Sequence, residues 1–180
     1  MASPFRPAST LLIQYAQYHR DRRNIATHFI GIPLIVFGVA VLLARVSLPL
    51  AGLALTPACI VGGLVTLWYL SRGNPVLGLA VSAATWGLIA LAHLFASGSV
   101  GLWLGWGVGS FVVGWISQFI GHYYEGRKPA FVDDLIGLLV GPMFVTAEVL
   151  FALGWGRALH AEIERTAGPT VMRDLSRLPS

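Results

Sequence analysis

Two short polar stretches interrupt an otherwise apolar chain, and they hold most of the residues able to do chemistry. The first runs Tyr15-Ala-Gln-Tyr18-His19-Arg20-Asp21-Arg22-Arg23-Asn24-Ile-Ala-Thr-His28, the second Gln118-Phe-Ile-Gly-His122-Tyr-Tyr-Glu125-Gly-Arg127-Lys128-Pro129. Gln118, His122 and Glu125 stand at i, i+4 and i+7, so one helical face carries all three, and Tyr15 and His19 form a similar pair. His19 and His28 are nine residues apart. On one unbroken helix that spacing sets them about 180° apart, at about 100° per residue. They converge only if the chain breaks between them. Arg20–Asn24 offers the break, with Asn24 able to cap a new helix from Ile25. Three imidazoles with Gln118 and Glu125 nearby suit iron, zinc or copper and leave coordination positions open. A single interfacial histidine is more simply a headgroup or backbone partner. Three on one face, in a chain with five histidines, favour a metal. His93 falls near the opposite face and His160 in the tail, and both read as non-ligands.

The elements that must position these groups are membrane helices. Of 180 residues, 56% are hydrophobic and only 11% charged, with a mean hydropathy of +0.72. Soluble domains carry about 25% charged residues. The net charge of +4 comes almost wholly from arginines at the ends of apolar runs or in the tails, which fits anionic headgroups. Aromatic and basic residues do not interleave, so nucleic acid is set aside as a partner. Cys59, the single cysteine, excludes an internal disulfide and thiolate metal clusters. Met1 to Arg23 is polar and lacks the apolar core of a cleavable signal peptide, so the first span would direct insertion.

A crossing needs about 20 apolar residues. Four runs qualify, at 28–44, 50–70, 76–96 and 101–120, with Pro49, Pro57 and Pro75 at or near helix starts. A fifth, 131–155, begins with Asp133-Asp134, is interrupted by Gly141-Pro142 and carries Glu148. Asp133 and Glu148 return to within about 60° of each other on a straight helix, and capping is the plainer role for Asp133 or Asp134. The arginines of the N-terminal tail place it in the cytoplasm. A fifth full span would put the basic tail 156–180 outside, against the same rule, whereas re-entry keeps both termini inside. The expected architecture is therefore an all-α integral membrane protein of one domain. It has four transmembrane helices plus a broken, re-entrant or interfacial fifth segment. Four passes bring residues 19, 28 and 122 to one cytoplasmic face. Gly101, Gly105 and Gly109 form a G-x-x-x-G stripe that predicts close helix approach, and homo-oligomerisation stays open.

The pattern Tyr18-His19 … Asn24 … His28-Phe-Ile-Gly31-Ile-Pro33, then Gln118-Phe-Ile-Gly121-His122 … Glu125-Gly-Arg127-Lys128-Pro129, resembles a family of small membrane 2-hydroxy fatty acid dioxygenases. Asp134-Leu … Gly141-Pro142-Met-Phe144 … Glu148 is similar to the same family, and the resemblance covers about residues 10–155. It implies Fe(II)-dependent dioxygenation of a 2-hydroxy fatty acid with molecular oxygen, shortening the chain by one carbon. It also implies His19, His28 and His122 as iron ligands. Glu125, Arg127 and Tyr18 are then catalytic candidates, with Gln118, Asn24, Glu148 and Asp134 as residues supporting the ligands. The membrane would be the inner membrane of a bacterium or the endoplasmic reticulum of a eukaryote.

Two other readings compete. A proton-coupled carrier would use Glu148 and the histidines as a relay, with Gly141-Pro142 as the helix break that transporters place at binding sites. Against it, the chain shows no inverted repeat, and its polar residues cluster at one face. A scaffold would use the histidine clusters only as interfacial anchors.

Overall fold

The computed structural model describes residues 5–50, 53–129 and 135–175. Within them are seven helices and a small hairpin. The helices are α1 (Ala8–Ala16), α2 (Arg22–Leu43), α3 (Pro57–Leu70), α4 (Pro75–Ala96), α5 (Val100–Glu125), α6 (Gly137–Ala152) and α7 (Arg157–Ala167). Strands β1 (Leu48–Leu50) and β2 (Leu53–Leu55) pair antiparallel, Leu48 opposite Leu55. Side-chain caps set the starts of four helices: Asp21, Thr56, Asn74 and Ser99 each accept from a backbone N–H in the first turn. Pro57 and Pro75 occupy the first helical position, where a missing N–H costs nothing. Gly126, at φ 68°, ends α5 in the left-handed conformation.

Three helices, α2, α4 and α5, are long and apolar enough to cross a membrane, and the bent α6–α7 pair makes a fourth if it counts as one span. The second expected span is shorter than its apolar run. Thr56 caps α3 and Pro57 opens it, so the residues before them form the hairpin, and α3 has 14 residues. At 1.5 Å per residue α3 is about 21 Å long, against an apolar thickness of about 30 Å. The first span differs in its cap: Asp21 does the capping, so the helix begins at Arg22 and Asn24 lies buried inside its first turn. In the fifth segment α6 runs through Pro142 unbroken, and the chain turns by 118° only after Ala152. Gly154 and Gly156, both at positive φ, make that turn. The break that favoured a carrier is therefore absent from Gly141-Pro142. Asp133 and Asp134 lie outside the described residues.

The tightest packing joins α2 to α5, and it uses glycines other than the stripe expected. Around Gly101, Gly105 and Gly109 nothing lies within contact of a would-be side chain, so that stripe faces outward. The close approach runs instead through Gly107, Gly114 and Gly121 against Gly31 and Gly38, seven residues apart on each helix. A Cβ on Gly114 would sit 2.8 Å from the Gly31 carbonyl oxygen and 2.7 Å from Ile35. Backbone lies on backbone here, which small residues alone permit.

The two tails are also built in. The N-terminal segment expected to be a polar tail forms α1, whose Leu11, Leu12 and Tyr15 pack with Met143, Phe144 and Ala147 of α6 and Ile163 of α7. A second apolar cluster, around Phe37, Val41, Ala58, Ile89 and Ala92, fills the other end of the bundle. After α7 the chain returns over the α1–α2 turn. Val171 N–H donates to the Arg20 carbonyl and Arg22 N–H to the Val171 carbonyl, both at 2.9 Å. Arg173 N–H donates to Asp21 Oδ2 at 2.8 Å, and its guanidinium to the Glu125 carbonyl at 3.0 Å. Of Arg20, Arg22 and Arg23, the N-terminal arginines expected to meet solvent and lipid headgroups, Arg20 and Arg23 have side chains tied into this strap. Arg20 is 8% exposed and donates to the carbonyls of Ala16, His19 and Gly168. Arg23 donates to Asp21 and to the Arg173 carbonyl. Burial pushes the Asp21 carboxyl up, but hydrogen bonds from the Arg23 guanidinium and the backbone N–H groups of Arg173 and Arg23 outweigh it and hold the group at about 2.

Two outcomes follow from this packing. Gly114→Leu forces α2 from α5 and costs about 1–3 kcal/mol as overpacking, read as a lower Tm in detergent. Gly105→Leu, on the open side, stays within about 0.5 kcal/mol of the parent. Asp21→Asn releases the strap, and tryptic cleavage after Arg173 becomes about fivefold faster or more, the equivalent of about 1 kcal/mol. Because the Asp21 carboxyl is depressed, its stabilising share is complete above the ordinary carboxyl value of about 4. It is lost as the pH falls toward 2, so the strap of the parent loosens only in strong acid.

Candidate metal centre

The three histidines of the two polar stretches meet. His19 hangs from the α1–α2 turn, His28 from the second turn of α2 and His122 from the last turn of α5. Each is at most 6% exposed. Their ligand-capable atoms all lie within 4.8 Å of one another, and the ring centroids are 4.4, 4.9 and 5.1 Å apart. The helix break that lets His19 face His28 lies at Gln17–Asp21, overlapping the expected Arg20–Asn24 at its first two residues.

The backbone orients two of the rings. His19 Nδ1 is 2.7 Å from the Tyr15 carbonyl oxygen, and His28 Nδ1 is 2.8 Å from that of Asn24. A carbonyl only accepts, so both Nδ1 atoms carry the proton and both Nε2 atoms present lone pairs. Those Nε2 atoms face each other at 2.9 Å. Two lone pairs at that distance repel, and a shared cation is what the geometry suits: cis ligands at bonds of about 2.1 Å stand roughly 3 Å apart. The His122 Nδ1 is buried with no hydrogen-bond partner in the protein. Burial and the neighbouring His28 imidazole hold His19 well below its ordinary value, so the ring is neutral at physiological pH, the form that binds metals. The donor set therefore fits a metal ion with three imidazole ligands, and the Tyr15 and Asn24 carbonyls are the outer partners that such rings usually have.

Around the cluster, the Tyr15 ring stacks on His19 at 4.0 Å with planes 5° apart, and Phe144 packs on both. Tyr15 was visible in the sequence only as the i, i+4 partner of His19, and Phe144 only as part of the Gly141-Pro142-Met-Phe144 stretch of the family resemblance. Gly141 leaves room for the Tyr15 hydroxyl, which a Cβ would approach to 3.2 Å. Gln118, 6% exposed, has an unpartnered amide nitrogen. It lines a cavity of about 310 Å³ with Tyr15, His28 and His122.

The remaining expected residues lie around this centre in different ways. The Glu125 carboxylate accepts from the backbone N–H groups of Arg20 and Asp21 and from the Asn24 amide, at 2.8–3.0 Å. Asn24 also donates to the Tyr18 carbonyl, so Tyr18 enters the network through its backbone. Arg127 is exposed and donates to the Gln17 carbonyl at 2.7 Å. Glu148, half-buried on α6, interacts with Arg20, His160 and Glu164 and is not part of the histidine cluster. His93 sits at the far end, bonded to the Ile89 carbonyl and to Thr56 Oγ1. His160 stacks on Phe151.

Comparison with known proteins points the same way. The family model described as 2-hydroxy-palmitic acid dioxygenase Mpo1-like matches residues 5–153. The chain is 32% identical over 152 residues to the 2-hydroxy-palmitic acid dioxygenase MPO1 of Saccharomyces cerevisiae, covering 83% of each chain. No solved structure matches. The matched region contains all three histidines, both tied carbonyls and Glu125, and the chain belongs to the Mpo1-like family.

Proposed function

We propose that this protein is an Fe(II)-dependent dioxygenase that shortens a 2-hydroxy fatty acid by one carbon, using molecular oxygen. The observation that carries the reading is the buried pair of facing His19 and His28 Nε2 atoms, with His122 beside them, at the head of an apolar cavity. His19, His28 and His122 hold the iron. Iron bound there supplies a redox-active Lewis acid with coordination positions left over for oxygen-donor ligands. A 2-hydroxy acid offers two such oxygens on adjacent carbons.

The chain's own residues do the rest. The Gln118 amide, buried and unpartnered, donates to an oxygen of the acid's head group. A site built to give that hydrogen bond discriminates strongly against molecules unable to accept it. Tyr15 and Phe144 wall His19 from water. Glu125 holds the α1–α2 turn, and with it His19, so it acts as a positioning residue. Arg127 and Lys128 stand at the same end of the bundle and draw the carboxylate toward it. By the positive-inside rule this end, with Arg20, Arg22 and Arg23, faces the cytoplasm.

The test is metal analysis after anaerobic loading with Fe(II). About one iron per chain is expected, with oxygen consumption on 2-hydroxypalmitic acid, and His28→Ala or His122→Ala loses both. Stoichiometric zinc with no oxygen uptake in the iron-loaded protein would sink the proposal. Glu125→Gln folds but binds iron about 10- to 100-fold more weakly, with turnover per bound iron retained. Turnover abolished at unchanged iron affinity would instead give Glu125 a direct part in the chemistry.

A further inference from the structure

The cavity under the histidines does not end with them. A second cavity, of about 190 Å³, shares Ile35, Val36, Val39, Leu138 and Pro142 with the first, so the two adjoin along α2 and α6, as successive parts of one groove would. It continues toward Leu43 and Ala58, in the cluster that closes the far end of the bundle. From His28 to Leu43 is fifteen residues of α2, about 22 Å at 1.5 Å per residue. Half of a bilayer's apolar thickness, the length of one lipid acyl chain, is about 15 Å.

The chemistry of the lining changes along it. At the head are His28, His122, Gln118 and Tyr15. Beyond them the polar side chains are those of Tyr69 and Thr85, and each donates to a backbone carbonyl of the protein, Leu139 and Val81 respectively. Neither offers its proton to a ligand. Val39 and Leu138, at 37% and 47% exposed, leave the groove open along one side.

We propose that this groove is the acyl subsite, entered sideways from the bilayer, and that Ala58 and Leu43 at its far end set the longest chain accepted. The inference rests on reading the head of the groove as a 2-hydroxy acid site. The tail it suits is an acyl chain, since a polar tail would find the Tyr69 and Thr85 hydroxyl protons already given to backbone carbonyls. Ala58, 2% exposed, limits the far end.

Two variants change that end in opposite directions. Ala58→Leu is expected to lower kcat/KM on 2-hydroxystearic acid about tenfold, the size of an overpacking penalty, and to leave 2-hydroxyoctanoic acid and iron content unchanged. Leu43→Ala shifts the preference toward longer acids. A chain-length profile that neither variant moves overturns the groove. If the iron-loaded parent turns over no 2-hydroxy acid of any length, the proposed function fails instead, and a second readout still judges the groove. A 2-hydroxy acid with a diazirine at its methyl end should label α2 and α3 near Leu43 and Ala58 on illumination, displaced by unlabelled 2-hydroxypalmitic acid. Labelling confined to the outward face of α5, around Val112 and Phe119, shows lipid-like partitioning and overturns it.

Discussion

The Glu125 carboxylate takes hydrogen bonds from two backbone N–H groups and one side-chain amide of the α1–α2 region, and the position of His19 depends on it. His28 and His122 belong to helices that pack through glycine, so their separation is set by backbone contact. His19 has no such support. It sits in a turn, and turns place side chains loosely unless their polar backbone groups are tied down. Glu125 ties two of them from α5, the Tyr15 carbonyl fixes the ring, and the C-terminal strap closes over the same turn from the other side. The N-terminal and C-terminal segments thus converge on one short stretch.

The α2–α5 contact has a consequence for the site as well as for stability. Gly121, one residue before His122, lies against Thr27 and against Asn24, which stands four residues before the His28 that it orients. Any side chain there would push α5 away from the start of α2. It would separate His122 from His28 and draw Glu125 from the turn in one movement. In a membrane, where lipid is as apolar as leucine, helices associate by close van der Waals fit. The fit that holds the bundle together is thus also the fit that brings His28 and His122 together.

The residues of the candidate centre were legible because they are exceptional: three histidines and a glutamate in a chain with little charge stand out against apolar runs. The meeting of 19, 28 and 122 followed from counting passes, and it survives even though one of the expected passes is a short helix with a hairpin. What was not legible depended on long-range contact. Gly101, Gly105 and Gly109 match the spacing of a packing motif, but spacing does not say which face of α5 meets α2. The true set, at intervals of seven, has weaker local signature and better partners. Asn24 and Asp21 are both good capping residues. Asp21 took the role because Arg23 and Arg173 also reach it, and no local rule includes a residue 152 positions away. For the same reason the sequence showed the C-terminal tail only as a basic segment and gave no sign that residues 171–173 dock on the α1–α2 turn.

A groove inside a bilayer obeys different energetics from a pocket in water. A fatty acid in lipid already has its tail in an apolar medium, so moving it between α2, α3 and α6 gains nothing from the hydrophobic effect. For the acyl subsite proposed above, binding would therefore come from the head group, and the groove would contribute by exclusion. This explains why the polar capacity of the centre is concentrated at one end, in Gln118 and three imidazoles, while Tyr69 and Thr85 turn their protons to the backbone. The side opening at Val39 and Leu138 is the entry that the proposed lateral route would need.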